Sequence, residues 1–201
     1  RPAPRGGGIL KTEWFKYYTV VPRVEWTNIY VDTAQKTGEE NDYSVLELWG
    51  RTTVGQGILL DLIRGKWEAP ELLTNARAFW IKHREGYKPR SMRVEDKVSG
   101  TGLIQTLRRE GYPILAVNRE KIKGKVSRGY DAAPFIESGN ILLPMDAPWL
   151  SDFLAEAQTF PNGAHDDQLD PMFDAIEDIQ RLPAQEDSQA SALPPPIANF
   201  W

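Results

Sequence analysis

Apolar and polar positions along the chain fall into two rhythms. Trp26 to Val31, Tyr43 to Trp49 and Ile58 to Ile63 are rich in β-branched and aromatic residues. They are separated by the polar loop Lys36–Asn41 and the turn signals Gly50–Gly57 and Arg64-Gly65-Lys66. Three strands with short connections predict an antiparallel meander. From Glu68 to Arg84 the rhythm becomes helical, with Leu72, Leu73, Ala76, Phe79, Trp80 and His83 on one face and Pro70 in the first turn.

A strand over Met92–Val94, a helix opening at Ser99-Gly100-Thr101-Gly102 and a strand over Ile114–Val117 follow. Together they predict a βαβ unit with parallel strands. Lys121 to Ser138 predicts a basic helix, Asn140 to Leu143 a short strand, and Pro148 to Phe160 an amphipathic helix. The last helix is expected from Asp166 to about Arg181, with Leu169, Met172, Phe173, Ile176 and Ile179 inward.

The pattern divides the chain into residues 1–25, read as a linker and junction, a folded body over 26–182, and a Pro-, Ser-, Ala- and Gln-rich tail over 183–201 expected to be disordered. Trp14, Phe15, Tyr17 and Tyr18 in the junction are expected to dock onto another surface, such as a neighbouring domain. The chain begins with Arg1, carries no signal peptide and is read as a piece of a longer protein. No apolar run reaches the length of a membrane span.

Composition narrows the chemistry. The 201 residues include no Cys and two His, His83 and His165. Disulfides and sites built on thiolates or several imidazoles are excluded. Any metal must be held mainly by carboxylates, which favours hard ions such as Mg²⁺ or Mn²⁺. The net charge of −4 is uneven: after Met145 one basic residue stands against eleven acidic ones. The body before it is net basic, which suits either a polyanion or an ordinary solvated surface. Gly50-Arg51-Thr52-Thr53-Val54-Gly55 continues with Gln56 and Gly57, so it is not a phosphate-binding loop.

Three acidic spots fall at element boundaries. Asp32 ends the first strand, Glu95 ends the strand after the long helix, and Asp166 and Asp167 follow His165 at the start of the last helix. Each has an ordinary alternative: Asp32 caps a turn, Glu95 pairs with Lys97 or Arg93, and Asp166 caps the helix. A meander, a helix, a βαβ unit and a late acidic helix form the layout of the ribonuclease-H-like α/β fold, a central mixed sheet flanked by helices. Phosphodiester hydrolysis on that layout uses two cations about 3.5–4 Å apart, held by three or four carboxylates.

The ordered motifs also resemble a family. Tyr30-Val31-Asp32-Thr33-Ala34, Val94-Glu95-Asp96-Lys97, Gly100-Thr101-Gly102-Leu103-Ile104-Gln105, Glu137-Ser138-Gly139-Asn140-Ile141-Leu142-Leu143-Pro144 and Phe160-Pro161-Asn162-Gly163 with His165-Asp166-Asp167-Gln168-Leu169-Asp170 occur in the order found in the nuclease domain of the terminase large subunit of tailed bacteriophages. Pro171 departs from the Ala expected there, but in a first helical turn. The resemblance implies an endonuclease that cuts concatemeric double-stranded viral DNA during packaging, with two Mg²⁺ or Mn²⁺ ions. It implies a preceding ATPase domain, missing here, and the portal and small terminase subunit as partners. It places the protein in the host cytoplasm at the procapsid, with no membrane contact.

Within that resemblance, Asp32 is expected to bridge two ions and Glu95 to bind one. Either Asp167 or Asp166 binds the other. His165 orients a water, stabilises the leaving group or caps the helix. Asp170 is an outer-shell group or a surface acid, and Asp96 points away from Glu95 into a structural pairing. Lys97 touches phosphate or neutralises Glu95. Lys121, Lys123, Lys125 and Arg128 grip the DNA backbone or form a solvated face. The alternatives to this reading are a junction-resolvase or integrase-like nuclease of the same fold, and a non-catalytic docking module in which the acidic helix and Phe200-Trp201 bind other motor proteins.

Overall fold

The structure, a computed structural model, describes residues 8–34, 43–118 and 124–181. Lys121, Lys123, the expected tail and Phe200-Trp201 lie outside the described residues. Seven strands form one mixed sheet: β1 (Lys16–Tyr18), β2 (Val24–Asp32), β3 (Ser44–Thr52), β4 (Gly57–Gly65), β5 (Met92–Glu95), β6 (Ile114–Val117) and β7 (Ile141–Pro144). Their spatial order is β1-β7-β4-β3-β2-β5-β6. The expected meander is present as antiparallel β2, β3 and β4. The remaining pairings, including β2 with β5 and β5 with β6, are parallel.

Among the described residues five α-helices cover the sheet: α1 (Ala69–His83), α2 (Val98–Arg109), α3 (Lys125–Glu137), α4 (Leu150–Thr159) and α5 (Leu169–Gln180). Strand alternation divides their work. Ile29, Val31, Leu46, Leu48, Met92 and Val94 point to one face and pack with Leu72, Phe79, Ile104 and Leu107 of α1 and α2. Tyr30, Val45 and Trp49 point to the other, against Ile136, Phe153, Met172, Phe173 and Ile176 of α3, α4 and α5. Each such side chain taken from water contributes roughly 1.5–3 kcal/mol. Two apolar faces on one sheet are what force a three-layer arrangement.

Three expectations change. Two of the junction aromatics, Phe15 and Tyr18, dock on this domain itself: Phe15 is buried edge-on against Phe153 with ring centroids 6.1 Å apart. The Tyr18 hydroxyl donates to the Leu59 carbonyl at 2.7 Å. The strand that carries Tyr18, β1, has three residues, too few to show a period. The last helix begins at Leu169 rather than Asp166, so His165, Asp166 and Asp167 occupy the connection before it. His165 is therefore not a helix cap. Pro171 sits in the first turn of α5, where its missing N–H removes no helical hydrogen bond.

Candidate metal centre

The site is built at one edge of the sheet. Val31 pairs with Val94 in the parallel β2–β5 register, so the next residues, Asp32 and Glu95, end their strands side by side. Both carboxylates are buried. The Nζ of Lys97, the residue that caps α2, lies 2.5 Å from Glu95 Oε2 and 3.5 Å from Asp32 Oδ1. Asp96, one residue earlier, is exposed and accepts a hydrogen bond from the Thr101 hydroxyl at 3.2 Å.

The connection into α5 brings the second set of acids to the same sheet face. The Asp167 Oδ2 accepts from the backbone N–H of Tyr43, just before β3, at 3.4 Å. Burial pushes the Asp167 carboxyl up to about 6; the nearby Asp32 and Glu156 charges add to this, while the Tyr43 N–H and Lys125 oppose it. A carboxylate so disfavoured beside another acid suits a site completed by a cation. His165 is half exposed, with its ring edge-on to Tyr43 at 5.6 Å and its Nδ1 4.0 Å from Asp167 Oδ2. Tyr43 is also approached by Arg64 at 4.8 Å and Lys66 at 5.1 Å from the ring centroid.

Asp166 is drawn elsewhere. Lys125 Nζ binds Asp166 Oδ1 at 2.6 Å and Asp170 Oδ2 at 2.9 Å. Arg128 is buried and forks between Asp170, at 2.6 Å, and Asp174. The basic stretch thus turns Lys125 and Arg128 inward to fasten α3 to α5, and Arg128 does not face the surface. Among the described residues no three acidic or His side chains converge on one point to hold a metal as they stand. Instead two ammonium groups each gather two carboxylates: Lys97 takes Asp32 and Glu95, and Lys125 takes Asp166 and Asp170.

Of the supporting acids, sequence reasoning named Asp170 and missed Asp174, Asp178 and Glu47. Asp170, Asp174 and Asp178 recur every fourth residue on α5 and face the sheet or α3. Asp178 Oδ2 accepts from the Tyr30 hydroxyl at 2.8 Å and pairs with Arg93 at 2.9 Å. Tyr30 and Arg93 stand two residues before Asp32 and Glu95, so this contact ties both strands to α5. The i, i+4 spacing was visible, but it marks a shared helix face without saying which way that face points. Glu47 on β3 is fully buried, and the Trp49 indole N–H donates to its Oε2 at 2.5 Å. Its Oε1 and both side-chain polar atoms of buried Gln168 lack hydrogen-bond partners among the described residues. The other histidine, His83, is outside the site, with Nε2 2.7 Å from Asp61 Oδ2 between α1 and β4.

A mixed sheet with carboxylates at the ends of adjacent strands β2 and β5, backed by an acidic helix, defines the ribonuclease-H-like class. Residues 29–178 match the family model for the terminase RNaseH-like domain, and the chain belongs to that family. No curated protein matches the sequence. The magnesium-bound large terminase nuclease of thermophilic phage G20c is similar, with a TM-score of 0.58 at 16% identity, covering 88% of this chain and 98% of that one. Zinc- and cobalt-bound forms of the same nuclease also match. The large terminase nuclease domain of P22 gives a TM-score of 0.57 at 12% identity, covering 87% of this chain and 98% of that domain. The large terminase of another thermophilic bacteriophage gives 0.58 at 15% identity, covering 84% of this chain but 44% of that protein. This chain therefore spans less than half of that protein's length. At these identities the likeness is one of fold.

Proposed function

We propose that this domain is a metal-dependent endonuclease that hydrolyses phosphodiester bonds of concatemeric double-stranded viral DNA during genome packaging. The observation that carries the reading is the pair Asp32 and Glu95, side by side at the ends of parallel strands, with Asp167 near Asp32 from the connection before α5. The donor set is carboxylate oxygen, which suits Mg²⁺ or Mn²⁺, and Lys97 already stands between two of these groups as a cation. Asp32, Glu95 and Asp167 would hold the ions. Such ions, when bound, supply the charge that activates water and steadies the leaving oxygen.

The chain's own residues do the positioning. The Tyr43 N–H holds Asp167 toward Asp32, while Lys125 holds Asp166 toward Asp170; this favours Asp167 over Asp166 as the direct ligand. Asp170 is then an outer group that fixes the start of α5 through Lys125 and Arg128. His165, at the exposed rim, orients water or the leaving oxygen. In the intact motor the domain works after an ATPase domain, with the portal and small terminase subunit, at the procapsid in the host cytoplasm.

The test is cleavage of supercoiled plasmid with Mg²⁺, Mn²⁺ or chelator, beside Asp32→Ala. Metal-dependent nicking and linearisation that disappear in the variant are expected. Cleavage that persists in chelator, or in folded Asp32→Ala, overturns the reading.

A further inference from the structure

Asp32 and Glu95 are only 6% and 5% exposed. Two anions brought together and stripped of water are costly unless a positive charge stands between them. Lys97 provides that charge from the same segment that carries Glu95, two residues on. Its side chain is less confined than theirs, at 26% exposure, and its backbone is the extended cap of α2. A four-carbon stem on such a cap lets the ammonium exchange an inward position for a solvated one without moving the helix.

We propose that Lys97 is a tethered counter-ion of the unloaded site, which leaves Asp32 and Glu95 when a divalent cation takes them. Metal loading is then an exchange of one cation for another. The inference rests on the metal-dependent reading above. An ammonium and a divalent ion on the same two carboxylates repel each other, so one excludes the other. The unloaded domain gains a paired, ordered strand edge. The loaded domain binds its ion more weakly than bare carboxylates would, and it releases a mobile cation at the site's mouth.

The experiment is calorimetric titration of Mn²⁺ into the wild-type domain, Lys97→Met and Asp32→Asn, with thermal melts in chelator and in Mn²⁺. Lys97→Met is expected to bind Mn²⁺ roughly tenfold tighter or more, because a competing charge is gone. It melts lower than wild type in chelator and gains more on adding metal. Equal or weaker Mn²⁺ binding by Lys97→Met, with Asp32-dependent binding intact in wild type, overturns the exchange alone. Absence of Asp32-dependent binding in wild type overturns the exchange together with the metal reading. A second measurement needs no variant: acetylation of wild-type Lys97, followed by peptide mass spectrometry, should accelerate when Mn²⁺ is saturating. An unchanged rate also overturns the exchange.

Discussion

Gly100 lies directly against the carbonyl oxygen of Glu95, so close that a methyl group on Gly100 would overlap it. The glycine lets the first turn of α2 sit on the end of β5, with the Thr33 hydroxyl just beyond. No flexible side chain is available to give way, because the obstacle is backbone. Gly100→Ala must move the helix start or the strand end, and either displaces Glu95 relative to Asp32. Small overpacking costs about 1–3 kcal/mol, whereas a shift of about 1 Å at a reacting centre can cost about 100-fold in rate. The domain is expected to remain folded by circular dichroism and to lose most metal-dependent plasmid cleavage. Cleavage within twofold of wild type would show that the contact does not position Glu95.

Arg128 carries a different kind of load. It is buried with Asp170 and Asp174, donating also to the Asp170 backbone carbonyl at 3.1 Å, and so joins α3 to α5. Arg128→Met leaves two carboxylates without their shared partner. Removing one member of a buried charge network typically costs about 3–5 kcal/mol. Urea unfolding at neutral pH is expected to show a loss of that size. A phosphate-gripping arginine would behave oppositely, with stability retained and salt-sensitive DNA binding reduced.

Much of this was legible before any coordinates. The meander, the βαβ unit and the four helices with clear apolar stripes follow from periodicity, and Asp32 and Glu95 stood out as carboxylates at strand ends. Charged residues that face inward were not legible. Lys125 and Arg128 read as a basic surface because pattern alone assigns charge to solvent, and only packing shows α5 offering them Asp170 and Asp174. Glu47 sat unremarked inside a predicted strand, since alternation gives two faces and does not say that both are buried. Asp166 looked like the first residue of a helix because the acid–apolar pattern starts there. The turn through Gln168 delays the helix to Leu169 and frees Asp166 to meet Lys125.

Glu47 gives a pH prediction with a definite sign. Burial holds its carboxyl well above the ordinary 4.5, with the charges of Glu156, Asp32 and Asp174 adding to it and the Trp49 indole opposing. A raised acid in the folded state favours the protonated form. Its contribution to stability is complete below the unfolded value near 4.5 and is lost as pH rises toward the folded value. Glu47→Gln keeps an acceptor for Trp49 and cannot ionise. The variant is expected to match wild type near pH 4 and to melt higher at pH 7–8, by roughly 2–4 °C for each kcal/mol relieved. Thermal melts in chelator across pH 4–8 decide this; equal melting temperatures at every pH would mean that Glu47 is stabilised by something other than its proton.

Lys66 is an exposed cation near the Tyr43 backbone N–H that holds Asp167, where a DNA backbone approaching Asp167 would pass. It lies 5.1 Å from the ring centroid of Tyr43, whose backbone N–H holds Asp167 and whose ring packs on His165. Neighbouring Arg64 is occupied, at 2.6 Å from Asp152 and 2.7 Å from Glu156. A lysine that neutralises one phosphate adds about 0.9 to the slope of log affinity against log salt. Lys66→Ala is therefore expected to weaken binding of duplexes of any sequence and to lower that slope by about one unit. Cleavage at saturating DNA and metal should stay near the wild-type rate, because Lys66 is not among the residues that would hold the metal. Fluorescence anisotropy at several salt concentrations measures the slope, and an unchanged slope would place the DNA path away from Tyr43.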